Sequence, residues 1–429
     1  MAFAPIVIRA YDFRGYGDVG AAIRIGQHLK DEGYSVLLSA NQSSVIPKAR
    51  FLGSSLPMVD GPAEGLQVDV IGTILTADSD YLRSPPHMFI SEMAVGWNPK
   101  SLKVPVAIMP KLIGDSSQPM FYRPQEENLL PRYRQVDVNE LLLWQMGKEH
   151  DVAGLEKLLS DSERVGFGYF PFTEYSEASD FFKHPYVKAL EMAACKSRLT
   201  LCLFSNPDME RRLTNRAIGF YGVVSSSGKF TKGKPGTPSL VFIGGVPQLI
   251  AGALFMKANM PNLVTGDLSL SDSLYFLLAH EGPGFFYDSA IHKYGNELDL
   301  VQLFSSDEAV RTAFIGGSGI TTHHYRQYLT TCQTNEEVLN AAAAAFTDDA
   351  YPRRLSAALK SEIARRYKLA DVEVALAGGS PVFIQDAVEK AVRELLEDPL
   401  KLQEVESMRS EFYSSRGLPF THTSAHQPA

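Results

Sequence analysis

The chain has 429 residues, 45% of them hydrophobic and 21% charged, with a mean hydropathy of −0.09. That length exceeds one ordinary core and points to two domains with some appended structure, and the formal net charge of −8 argues against a general nucleic-acid binder, which needs a basic surface. Three cysteines (Cys195, Cys202, Cys332) are too few and too scattered for a disulfide framework or a four-thiolate metal site, and no apolar run approaches the roughly 20 residues of a membrane helix.

The opening, MAFAPIVIRAYDFRG, does not combine a basic lead, a secretory apolar stretch and a cleavage site, so a cytoplasmic location is expected. The apolar run Ile6–Ile8 reads as a first strand. A glycine-rich turn follows, then a helical pattern carrying Ile23, Ile25 and Leu29 that Gly33 closes, then a second strand in YSVLLSA. Strand, helix and strand within about 35 residues form a βαβ unit and favour a parallel sheet covered by helices. VDVIGTIL (68–75), HMFISEM (87–93) and VPVAIMP (104–110) continue as buried strands, giving an α/β lobe over 1–160.

A polar helix around 151–163 precedes a second series. VGFGYFPF (165–172), LTLCLFS (199–205), PSLVFIGG (238–245), NLVTG and GPGFFY read as strands, with helices in SDFFKHPYVKALEMAACK, broken at Pro185, and in DMERRLTNRAIGF. SSSGKFTKGKPGTPS (225–239) reads as an exposed loop. This second lobe is expected over 161–333. From 334 to 429 the pattern is mainly helical, with Val388, Val392, Leu395 and Leu396 on a packed face and a frayed end in LPFTHTSAHQPA. The expected fold is α/β: two Rossmann-like lobes in tandem and a helical C-terminal extension.

Two strand-to-helix turns carry candidate chemistry. In YDFRGYGDVG (11–20), Gly15, Gly17 and Gly20 mimic a dinucleotide fingerprint, but Asp18 stands where the pyrophosphate would approach. Strand 2 also ends in SANQ, without an acid for a ribose. A dinucleotide is therefore not expected, nor any other cofactor. Asp18, or Asp12 in the same turn, reads instead as a working carboxylate at the C-terminal edge of the sheet, with Gly17 admitting substrate close to the backbone. The competing reading is that Asp18 caps a helix beginning at Val19.

The second turn lies in VTGDLSLSDSLYFLLAHEGPGFFY (264–287). A helix start exposes backbone N–H groups and the positive end of a dipole, so Gly266, Ser269 and Ser271 suit an anion and Asp267 suits ribose hydroxyls. Alternatively Ser269 or Ser271 caps the helix and binds nothing. Beyond it, His292, Lys293, Asn296 and Glu297 sit in a polar loop that either meets a departing diphosphate or is merely solvated. Glu92, at a strand end, either faces an acceptor or ends the sheet. His323 and His324 are adjacent and point apart, so no metal site is expected there or elsewhere. HExxH, GxSxG and Walker-type motifs are absent, which removes the simplest hydrolase and NTPase readings.

The element order around 238–303 resembles the donor-binding lobe of glycosyltransferases with two Rossmann-like lobes, the GT-B architecture. Shorter motifs resemble the protein-arginine rhamnosyltransferases that modify elongation factor P: GYGDVGAAIRIGQHL in the first turn, PMFYRPQEENLL at 119–130, then VPQ, TGDLS and GPGFF in that family's order. The resemblance implies a nucleoside-diphosphate sugar donor, a protein or glycan acceptor, and inverting, metal-independent transfer; charge and apolar-run length separately lead to the expectation of no nucleic-acid partner and no membrane span. It implies Asp18 as the catalytic carboxylate, Gln248 against the nucleotide base, Asp267 at the ribose and Ser269 at a phosphate. The chain departs from the family where Leu268 replaces an acid and Thr265 an arginine, and in YDSAIHKYGNEL after the last strand. A two-lobed nucleotide-sugar-binding protein without turnover and a nucleotide-sugar 2-epimerase are the alternatives.

Overall fold

The computed structural model describes residues 5–12, 16–40, 42–71, 86–91, 106–113, 116–124, 137–146, 153–169, 178–205, 207–244, 246, 248–279, 282–288, 294–318, 335–377 and 381–415. The chain divides into two compact units: Met1–Gln125 with Val374–Ala429, and Glu126–Glu373. The C-terminal helices, expected as an extension, are thus shared between the units.

The first unit holds a six-stranded parallel sheet of β1 (Ile6–Ala10), β2 (Val36–Ala40), β3 (Met58–Asp60), β4 (Leu66–Ile71), β5 (Met88–Ser91) and β6 (Val106–Ile108), in the order β3-β2-β1-β4-β5-β6. Its central strand, IVIRA, is buried throughout, as a parallel strand covered on both faces must be. The helix Gly17–Asp31 crosses from β1 to β2 and buries Val19, Ala22, Ile23, Ile25 and Leu29. It lies close to the sheet through Gly26, where a Cβ would stand 2.6 Å from Leu56 and 3.4 Å from Ile8. Gly33, at φ +92°, then reverses the chain into β2.

The helix Ile384–Glu397 packs on Gly17–Asp31 and buries Val388, Val392 and Leu395, each burial stabilising by about 1.5–3 kcal/mol. Phe121 meets Phe383 edge-on at 5.2 Å, and Arg123 donates to Asp386 at 3.0 Å. The last helix, Pro399–Ser415, is fixed by a buried polar cluster. The Gln67 backbone N–H donates to His87 Nδ1 (3.0 Å), His87 Nε2 lies 2.7 Å from Glu406 Oε1 and 2.8 Å from the Arg409 guanidinium, and Arg409 also donates to Glu406 (2.9 Å). Burial pushes the His87 imidazole below its ordinary range. Burial alone would raise Glu406, but the His87 hydrogen bond and the Arg409 charge outweigh it and hold the carboxyl low.

The second unit holds β7 (Arg164–Tyr169), β8 (Leu199–Phe204), β9 (Gly222–Val224), β10 (Phe230–Thr231), β11 (Ser239–Ile243), β12 (Asn262–Val264) and β13 (Phe285–Tyr287), ordered β10-β9-β11-β8-β7-β12-β13. All pairings are parallel except β9 with β10. The stretch expected as a loop at 225–239 therefore contains an edge strand. Phe285, Phe286 and Tyr287 are fully buried, and Phe304, Phe314, Phe346 and Tyr351 pack around the two phenylalanines. The expected break at Pro185 is present: one helix ends at Lys183, His184 intervenes, and a second runs Pro185–Ala194. Among the described residues no helix is long and apolar enough to cross a membrane.

Candidate functional site

Ligands of open parallel sheets bind outside the carboxyl ends of the strands, where the chain switches from adding strands on one side to adding them on the other. In the first unit that point falls between β1 and β4; in the second, between β7 and β12. The two turns singled out in the sequence follow β1 and β12, so each stands at its own unit's switch point.

After β1, the Asp12 carboxylate accepts from Lys48 Nζ at 2.6 Å, and the same ammonium lies 5.3 Å above the Tyr16 ring. The helix begins at Gly17, two residues earlier than expected, with Tyr16 in the cap position making no side-chain cap hydrogen bond. Asp18 is therefore no N-cap. It is a buried first-turn carboxylate, favourably placed against the helix dipole. Gly17 beside it is exposed, and a Cβ there would meet nothing within 4 Å. Below the turn, Arg9 of β1 makes a two-pronged ion pair with Asp69 of β4, directly across the strand register, with both groups buried.

After β12, Gly266 takes φ +79°, a conformation costly for any residue with a Cβ, and opens onto the helix Asp267–Ala279. Asp267 is buried and accepts from Asn296 Nδ2 at 3.3 Å. Because the helix begins at Asp267, Ser269 and Ser271 lie inside it and neither caps it. Ser269 is half-buried. Ser271 is fully buried, one turn beyond Asp267 on the same helix face, and its hydroxyl has no hydrogen-bond partner among the described residues. The expectation of Ser271 as an open hydroxyl donor is corrected accordingly. Asn296 and Glu297 also differ from expectation: both are buried in the first turn of the helix Tyr294–Leu303 and do not belong to a solvated loop.

Gln248 begins the helix Gln248–Lys257, but its side chain lies outside the described residues, as do His292, Lys293, Glu92, His323 and His324. Sequence reasoning passed over two buried residues at the same sheet edge. Asp288 follows β13, and its backbone N–H donates to the Val264 carbonyl, just before the Gly266 turn. His184 caps the helix Pro185–Ala194 through Nδ1, which accepts from the Tyr186 N–H at 3.1 Å; its Nε2 faces Asp288 Oδ1 at 3.4 Å. An isolated His-Pro and an isolated Asp form no motif, and only the order of β7, β12 and β13 brings them together.

The second unit thus sets Asp267, held by Asn296, at a glycine turn and a helix start, with Asp288 following the neighbouring strand β13. Carboxylates accept hydrogen bonds from hydroxyls, and a helix N-terminus favours negative charge. No protein-family model matches the chain, and no curated protein matches it in sequence. Solved structures similar in backbone include MurG of Acinetobacter baumannii (9% identical, TM-score 0.41, covering 85% of this chain and 100% of that one). They also include LpCGTa in complex with UDP (10%, 0.42, 92% and 100%) and the spinosyn rhamnosyltransferase SpnG with spinosyn aglycone (9%, 0.43, 92% and 100%).

Proposed function

We propose that the chain is a glycosyltransferase of the two-lobed GT-B kind, moving a sugar from a nucleoside-diphosphate sugar to a protein side chain or glycan. The observation that carries this reading is the β12 turn. At the switch point of a parallel sheet, Gly266 at φ +79° leaves open space above the backbone and a helix starts at once. The buried carboxylate of Asp267, held by Asn296, stands beside it. That combination suits a ribose on the carboxylate and a diphosphate at the helix start. Ser269 is the remaining hydroxyl donor, and Gln248 is the proposed base contact.

In the proposed reaction Asp18 takes the proton of the acceptor nucleophile. The nucleophile bonds to the anomeric carbon as the bond from that carbon to the β-phosphate oxygen breaks, with inversion. The electron pair leaves on the nucleoside diphosphate, whose charge the helix start stabilises without a metal. Asp18 is preferred to Asp12 because exposed Gly17 directly adjoins it.

Asp18→Asn tests the assignment. It should lower transfer by about 10²–10⁴-fold, the span of a lost general base, and leave nucleotide binding intact. Unchanged product formation removes Asp18 from the mechanism.

A further inference from the structure

The second unit carries a surface at odds with the rest of this acidic chain. Residues 207–237 hold six Lys and Arg against two carboxylates, while the whole chain carries a net charge of −8. Both carboxylates are engaged: Asp208 pairs with Arg211 (2.6 Å) and Arg212 (2.9 Å), and Glu210 accepts from the Ser226 N–H at 3.0 Å. Arg216, Lys229, Lys232 and Lys234 are exposed and have no carboxylate partner among the described residues.

Exposed apolar side chains stand among these cations: Phe220 at 56%, Ile218 at 48% and Phe230 at 36% of full exposure. The pairing of β9 with β10 brings Phe220 and Phe230 onto one ribbon, and Ile218 stands just before it, after the helix that ends at Ala217. Phe230 lies opposite Val224, and the Lys234 N–H donates to the Phe220 carbonyl at 2.9 Å, with the Lys234 ammonium 4.1 Å above the Phe220 ring. Opposed residues of an antiparallel pair share a face: Phe230 shares that of the buried Val224, and beyond the strand end the exposed Lys232, Lys234 and Phe220 continue the same side at the sheet's outer edge. That edge is four strands from β7, roughly 20 Å from the switch point at strand spacing.

Lysines on an edge strand ordinarily guard it against pairing with other chains. That role accounts for Lys229 and Lys232. It does not account for two phenylalanines and an isoleucine, which make an edge more adhesive. Cations that attract from a distance, with apolar side chains between them, match the interface of an anionic bilayer. A polynucleotide would use the cations but has no need of Ile218.

We propose that this edge of the second unit docks peripherally on anionic lipid headgroups, with Ile218, Phe220 and Phe230 entering the interface and Arg216, Lys229, Lys232 and Lys234 meeting the phosphates. The proposal does not depend on the sugar-transfer reading, because the two sites occupy different parts of the sheet.

Co-sedimentation of the full chain with phosphatidylcholine vesicles, with or without one-third phosphatidylglycerol, is the test. Binding should require the anionic lipid and weaken with salt. Lys229→Gln/Lys232→Gln/Lys234→Gln should lower vesicle affinity on the order of 100-fold, about fivefold per cation. Ile218→Ser/Phe220→Ser should lower it on the order of 10-fold and leave the salt dependence unchanged. All these positions are exposed, so unfolding temperature should hold within about 2 °C. Equal sedimentation with neutral and anionic vesicles, no sedimentation with either, or wild-type affinity in the lysine variant overturns the proposal. So does binding of a single-stranded oligonucleotide with no binding to vesicles.

Discussion

Two glycines, one in each unit, should respond to alanine in opposite directions. Gly266 holds φ +79° and Gly17 begins a helix at ordinary φ; a Cβ at either meets nothing within 4 Å. Steric repulsion by neighbours therefore drops out, and only the backbone decides. Alanine at Gly266 costs about 1–2 kcal/mol for the left-handed conformation. Alanine at Gly17 gains about 0.4–1 kcal/mol by restricting the unfolded chain. At about 2–4 °C per kcal/mol, thermal unfolding should fall by about 2–8 °C for Gly266→Ala and rise by about 1–4 °C for Gly17→Ala. If the open space beside Gly17 receives the acceptor, the more stable variant should also be the slower enzyme. Shifts of the same sign refute the backbone argument, and a stabilised Gly17→Ala with undiminished turnover refutes the substrate path.

Arg9→Met should destabilise the first unit by about 3–5 kcal/mol, because it removes the two-pronged cationic partner of a buried carboxylate, whereas Arg9→Met/Asp69→Leu should recover most of that loss in a denaturant titration. The His87 cluster predicts acid sensitivity. Its imidazole is held below its ordinary value of 6.5 and the Glu406 carboxyl below 4.5, so the unfolded chain binds more protons than the folded one as pH falls. The stability from His87 should be whole above pH 6.5 and decline below it, with the Glu406 contribution declining below 4.5. His87→Gln should flatten the first decline, and an unchanged pH profile of the unfolding midpoint contradicts the assignment.

Much of the fold was legible because parallel strands leave dense local signatures. IVIRA, VLLSA and LTLCLF are apolar runs between turn residues, and the helix after β1 shows its buried stripe in Val19, Ile23 and Leu29. Both switch-point turns were legible as glycine–aspartate breaks. Their capping residues were not, since Asp18 and Ser269 are good caps by type but the helices start before them. Strand order is set by long-range pairing, which is why 225–239 reads as a loop although it holds β10, and why nothing local marks His184 and Asp288 as neighbours. The amphipathic helix Ile384–Glu397 announced a packed face through Val388 and Val392, but nothing local indicated that its counterpart was Gly17–Asp31.

The most direct test of the donor site is isothermal titration of the full chain with UDP-, GDP- and dTDP-sugars, repeated with Asp267→Ala. The account predicts saturable binding by one nucleotide family, weakened at least tenfold in the variant and retained in Asp18→Asn. Binding of none of them at millimolar concentration, or binding indifferent to Asp267, contradicts it.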